Sequence, residues 1–250
     1  MQKTMNRPFF WILFISGALA CSVASYVYFP KAFPIIHLNL SMNRTQAIES
    51  AQELAHRLDL GPKNAQVATT FCTDEKVKTF VELEAGGKDA VVHMMDANLY
   101  QCYTWSVRLF TPFKQREALL FFTPNGIPYG FKEQLSENDQ RDNLSTQDAQ
   151  KKAEAIASTT PWNIVLSAYT LVESSQDKTP LGRIDHTFVY ERSHETIGEG
   201  TYRLNITVSG DHVTNLYHFV KVPESFLHRY QEMRSNNENI AYLGTLIMIL

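Results

Sequence analysis

The stretch Asn43-Arg44-Thr45-Gln46-Ala47-Ile48-Glu49-Ser50-Ala51-Gln52-Glu53-Leu54-Ala55 lines up without a gap on Ser145-Thr146-Gln147-Asp148-Ala149-Gln150-Lys151-Lys152-Ala153-Glu154-Ala155-Ile156-Ala157. Alanines coincide at 47 and 149, at 51 and 153, and at 55 and 157, a spacing that stacks them on one helical face. Asn43 and Ser145 are good N-caps, with Gln46 and Asp148 three places on, able to reach back to free backbone N–H groups. Each copy therefore opens with a short amphipathic helix whose small residues allow close packing on a sheet. Any two capped, alanine-rich helices look alike, so the segments C-terminal to each helix decide the fold.

After the first helix come Tyr103 to Phe110 (YTWSVRLF), Glu117 to Thr123 (EALLFFT), a Pro124-Asn125-Gly126 turn and Ile127 to Phe131. After the second come His186 to Arg192 (HTFVYER), Thr201 to Val208 (TYRLNITV), a Ser209-Gly210-Asp211 turn and His212 to Val222. These are β-rich runs joined by hairpin chemistry, and the order helix, strand, hairpin occurs twice. The helices start 102 positions apart but the strands only about 84, so the first copy carries extra residues. Asp74 to Met95 is the natural insert, with Val77, Phe80 and Val81 at helical spacing. Tyr202, Leu204, Ile206 and Val208 alternate with Arg203, Asn205 and Thr207, which predicts one buried and one wet sheet face. The expected class is α+β: two copies of a helix packed on an antiparallel meander, an arrangement that resembles the PepSY-like domains of many exported bacterial proteins.

Phe9 to Phe29 (FFWILFISGALACSVASYVYF) is uncharged and follows Lys3 and Arg7, with no acidic residue before Glu49. A signal anchor, a cleaved signal and a lipoprotein signal compete. Ala18-Leu19-Ala20 precedes Cys21 as a cleavage site would, yet the apolar run continues well past it, and Ala18 stands where a lipobox wants leucine. An uncleaved anchor with a cytoplasmic N-terminus fits best, although Lys31 and Arg44 beyond the span partly offset the charge bias. At the other end Ile240 to Leu250 is apolar except for Thr245. It covers roughly 16 Å of a hydrocarbon core about 30 Å thick, so it reads as the start of a second, truncated span. The resulting division is an anchor over 1–30, a first α+β repeat over 31–140 with its insert near 74–95, and a second over 141–222. A connecting helix over 223–239 and the truncated span over 240–250 complete it. Residues 31–239 are expected outside the cytoplasm of a bacterial cell membrane.

A formal net charge of −3 with no basic stripe speaks against nucleic acid as a partner. Cys72 and Cys102 fall in the exported part, where a disulfide between them is permitted but not required. Motifs for chemistry are scarce. His194-Glu195-Thr196-Ile197-Gly198 begins like a zinc-protease helix, but Gly198 replaces the second histidine and the segment adjoins a strand. Asp185-His186, and His212 with His218, are better read as exposed strand residues than as a metal or proton site. There is no GxxxxGK[ST], GxGxxG or GxSxG, and Gly198-Glu199-Gly200 reads as a loop. The sequons at Asn39, Asn43, Asn143 and Asn205 carry little weight.

Three stretches carry a family resemblance: Ala68 to Glu82 (ATTFCTDEKVKTFVE), Asp185 to Arg192 (DHTFVYER), and Phe219 to Phe226 (FVKVPESF) with Arg229-Tyr230 and Met233-Arg234-Ser235. Together they resemble the N-terminal region of large bacterial intramembrane metalloproteases of the CPBP (CAAX-protease-like) group. The resemblance implies an exported accessory region that shapes substrate access or regulates catalysis, with the membrane and a peptide or protein substrate as partners. In that family a Glu-Glu-x-x-x-Arg motif, a Phe-x-x-x-His motif and a later histidine on membrane helices activate a metal-bound water. This chain has no adjacent glutamate pair, and Phe33 to His37 fits the second pattern by letter only. No residue here is therefore assigned as catalytic, cofactor-binding or metal-ligating, and the zinc or other divalent metal is expected in catalytic helices beyond this sequence. The alternative is a stand-alone, membrane-anchored binding, inhibitor or sensor module.

Overall fold

The structure, a computed structural model, describes residues 8–32 and 38–249. The Phe33 to His37 motif lies outside the described residues. Helix α1 (Pro8–Ala32) contains a 22-residue stretch, Pro8–Phe29, of mean hydropathy 1.9 that is nowhere buried against the protein. It is long and apolar enough for a membrane anchor or a signal sequence.

Helix α2 (Arg44–Leu58) starts on a reciprocal cap: Asn43 Oδ1 accepts the Gln46 N–H at 3.0 Å while Gln46 Oε1 accepts the Asn43 N–H at 2.9 Å. It is followed by strand β1 (Gln66–Thr73), helices α3 (Glu75–Glu84) and α4 (Gly87–Asp96), and strands β2 (Tyr103–Phe110), β3 (Glu117–Phe122) and β4 (Pro128–Gln134). The second copy has helix α5 (Thr146–Ser158) and strands β5 (Tyr169–Lys178), β6 (Ile184–Ile197), β7 (Gly200–Ser209) and β8 (His212–Lys221). At the α5 cap the reach-back differs from expectation. Ser145 Oγ accepts the Asp148 N–H, but Asp148 takes the serine hydroxyl at 2.7 Å rather than a backbone N–H, because its side chain is one carbon shorter than glutamine's.

The two copies share one antiparallel sheet of order β1-β2-β3-β4-β8-β7-β6-β5. Each meander runs outward from a common seam where β4 meets β8, pairing Phe131 with Leu216 and Lys132 with Asn215. Antiparallel joining of two like strands relates the copies by an approximate twofold axis through the sheet, which keeps α2 and α5 on the same face. Both helices approach through alanine: Ala47, Ala51, Ala149, Ala153 and Ala157 are fully buried, in one core with Val107, Leu120, Phe131, Phe188, Leu204, Ile206 and Leu216. The absence of long side chains lets the helix axes come close to the sheet, so the core is filled from the strand side.

A second core gathers Val77, Phe80 and Val81 of α3, Val91, Met94 and Met95 of α4, and Ile197, Tyr202, Val220 and Val222 from the second copy. Helix α6 (Glu224–Ile249) enters this core through Phe226, whose ring lies 5.2 Å from that of Phe80, and Arg229 pairs with Glu84 of α3 at 2.7 Å. Leu38, on the chain leading from α1, packs there as well. The expected apolar side of α6 is shorter than its spacing implied. Phe226 and Tyr230 stack at 5.6 Å, but Met233 is 46% exposed, because α6 leaves the core within three turns.

The face opposite α2 and α5 is less wet than the alternation predicted. Arg203 and Thr207 of β7 are half-buried, and Asn205 is 9% exposed, because it stands in one cross-strand row between Val189 and Tyr217.

Candidate functional site

Near the seam, the end of the first meander surrounds a cavity of about 230 Å³. The strand registers bring its lining together. Cys72 of β1 lies opposite Thr104 of β2, Phe121 of β3 opposite Gly130 of β4, and Tyr217 follows Leu216, the partner of Phe131. Phe121 and Tyr217 supply aromatic walls, and Gly130, with no side chain, leaves the floor open. Glycine is required there for the fold as well: a Cβ would stand 2.6 Å from the Leu216 carbonyl oxygen, where β4 and β8 come together.

Polar groups close one end. The Tyr100 hydroxyl donates to Asp74 Oδ2 at 2.7 Å, and Asp74 Oδ1 accepts the Val77 N–H, capping α3. Tyr129 Oη accepts the Gln101 N–H at 3.0 Å, and its ring stacks on His218 with centroids 5.0 Å apart. Burial, with Asp74 beside it, pushes the Tyr100 phenol up, and burial raises Tyr129 too, so both remain neutral donors or acceptors at any physiological pH. Burial, helped by the positive charge of Arg192, lowers His218 to about 4. At neutral pH this ring is an uncharged imidazole.

Lys132 lies on the same face as Gly130, with its Nζ 3.6 Å from the centre of the Tyr217 ring. Partial burial lowers its pKa. Cys72 and Cys102 both line the cavity and are free thiols. They are offset along the ladder, since Cys72 faces Thr104 whereas the Cys102 carbonyl accepts the Asp74 N–H at 2.7 Å. Cys102 is buried, and desolvation raises its thiol pKa. A larger hollow of about 590 Å³ lies between the end of α2 and the loop into β1, but its lining of Gln52, His56, Asp59 and Lys63 over Ala55 and Gly61 has no comparable aromatic walls.

The histidines that stand out in the sequence do not converge, and none of His186, His212 and His218 is exposed. His186 is buried, with Nε2 3.0 Å from the Leu144 carbonyl, while neighbouring Asp185 pairs with Arg183 at 2.9 Å. His212 is half-buried against Glu133, and His218 is half-buried against the Tyr129 ring. Their exposure was misjudged because the loop over 135–145, the β4 seam and the Tyr129 ring cover them, and none of these is adjacent in sequence. His194 and Glu195 sit towards the end of β6, where Glu195 pairs with Arg192, and Gly198 and Glu199 form the tight turn into β7. Among the described residues no group of three or more histidine, cysteine, aspartate or glutamate side chains has the placement to hold a metal ion. Asn43 and Asn143 spend their side chains on the α2 cap and on the Ile184 N–H.

Sequence reading missed the cavity because its lining comes from five strands. The one local signal was Gly130 inside a strand, a mark of close backbone approach.

No family model matches this chain, and no curated protein matches it. Among solved structures it is similar to the Bacillus megaterium YpeB C-terminal domain, at 14% sequence identity and a TM-score of 0.40, over 70% of this chain and 62% of that one. The chain thus spans less than two thirds of the length of the structure it matches.

Proposed function

We propose that this chain is a membrane-anchored, extracytoplasmic accessory module that binds a partner segment on the open face of its sheet. One observation carries the reading: both repeat helices cover the same face, leaving a continuous eight-stranded platform with an aromatic-walled cavity at its seam. Helix α1 serves as the anchor, with the N-terminus cytoplasmic and residues 31–239 outside. The resemblance of the stretches at 68–82, 185–192 and 219–235 to the CPBP group supports a finer reading. In it the module presents substrate to, or regulates, a membrane-embedded metalloprotease whose metal and catalytic helices are not in this chain. A stand-alone binding, inhibitor or sensor module is the second reading, and the open face and its cavity suit it equally.

The test is site-specific photocrosslinking in native membranes. A benzophenone side chain at Phe219, on the open face, is expected to form a discrete adduct, whereas one at Lys152, on the exposed side of α5, is not. A partner with several membrane spans, a glutamate pair and two histidines would support the protease reading. A soluble peptide or protein would support the stand-alone module. Equal adducts from both positions, or none from either, would overturn the binding platform itself.

A further inference from the structure

Along the open face the arginines are matched by carboxylates, Arg108 by Glu117 and Arg203 by Glu191. Lys132 differs. It is half-buried on that face, and among the described residues its ammonium group has the Tyr217 ring but no carboxylate beside it. Among the described residues the one carboxylate lining the cavity, Asp74, is already engaged by the Tyr100 hydroxyl and the Val77 N–H. Among the described residues, an unmatched cation and aromatic walls therefore border one space. That space, at about 230 Å³, is smaller than the roughly 300–1,000 Å³ usual for drug-sized ligands and suits a single side chain.

We infer that this cavity binds a carboxylate on a short apolar stem, with Lys132 receiving the carboxylate and the stem lying over Gly130 between Phe121 and Tyr217. The inference rests on the open face being a binding platform and names what the platform recognises: the C-terminal residue of a peptide, or a free short-chain acid. A cation already partly stripped of water loses little more on pairing, so the charge-assisted contact is favourable there. The Thr104 hydroxyl, which also lines the cavity, can meet the second carboxylate oxygen or a peptide group. An amide in place of the carboxylate would leave the lysine charge unmatched, which gives the site its selectivity.

Isothermal titration calorimetry on the full chain in detergent tests this with three probes: acetyl-Gly-Gly-Phe with a free carboxylate, the same peptide as its C-terminal amide, and 3-phenylpropionate. The free peptide acid is expected to bind at least about tenfold more tightly than its amide. Lys132→Met should remove that preference and Lys132→Arg should keep most of it. Thr104→Phe, which fills the cavity from the side, should abolish binding while the far-UV spectrum stays unchanged. If 3-phenylpropionate binds as well as the peptide acid, the carboxylate site stands with a free acid as its ligand, and the partner-segment reading of the open face loses its support. Equal affinity for acid and amide, or an unchanged preference in Lys132→Met, would overturn the carboxylate site while leaving the binding platform intact. Absence of binding by either acid would also overturn it.

Discussion

The carboxylate of Glu133 on β4 is fully buried and lies 3.0 Å from Nε2 of His212 on β8, two residues 79 positions apart that meet across the seam of the repeats. The same carboxylate accepts the Gly61 N–H at 2.8 Å and Arg116 Nε at 2.9 Å. One side chain thus ties the loop before β1, the β2–β3 connection and the β7–β8 turn together. Burial alone would raise the Glu133 pKa, but the hydrogen bonds from His212, Gly61 and Arg116 outweigh it and hold the pKa below the ordinary value of 4.5.

Glu133→Ala should cost about 3 kcal/mol or more of unfolding free energy, because it leaves a partly buried arginine and a buried N–H without their acceptor. A carboxylate with a depressed folded pKa contributes stability that is present above its ordinary value near 4.5 and lost as pH falls through the folded value. Urea midpoints for the wild type should therefore fall below pH 4.5, and in Glu133→Gln that acid loss should be smaller.

His218 predicts a second pH dependence, at higher pH. Its folded pKa of about 4 lies below the ordinary 6.5, so the unfolded chain takes up a proton first as pH falls. Stability contributed by the neutral ring is present above pH 6.5 and declines towards pH 4. Chemical denaturation at pH 7 and pH 4.5 should show a larger loss for the wild type than for His218→Phe, which keeps the stack on Tyr129 without a titrating group. An NMR titration placing the His218 midpoint near 6.5 would contradict this directly.

The alanines at 51 and 153 are equivalent positions, each fully buried between helix and sheet. Leucine at either should overpack the interface and cost about 1–3 kcal/mol, by similar amounts in the two repeats. Because the repeats share one sheet and one core, each variant should lower a single cooperative unfolding transition. Two separate transitions would mean that the seam does not couple them.

The thiols of Cys72 and Cys102 should differ in reactivity. In a Cys21→Ser background an aromatic disulfide reagent should modify exposed Cys72 rapidly, and Cys102, buried with a raised pKa, only when denaturant is added. Mass spectrometry of the labelled peptides reports both rates.

Much of this fold was legible locally. The capped helices at Asn43 and Ser145 and the central strands β7 and β8 announce themselves through alanine spacing, turn residues and alternation, all set within a few positions. The edge strands β1 and β5 did not. Gln66–Thr73 is uncharged and threonine-rich, and nine of the ten residues of Tyr169–Lys178 are exposed, because a strand with a neighbour on one side only has little to bury.

By itself the sequence determined the α+β class, the twofold repetition and an apolar helix able to cross a membrane, since caps, periodicity and hydropathy act over one turn or one strand. Only the tertiary structure decided that the repeats meet through β4 and β8, that Glu133 joins them by its contact with His212, and that among the described residues Lys132 stands beside Gly130 and Tyr217 with no carboxylate partner. Strand-to-strand pairing at a seam joins residues some eighty positions apart, and the energy that selects it comes from a core neither repeat can complete alone.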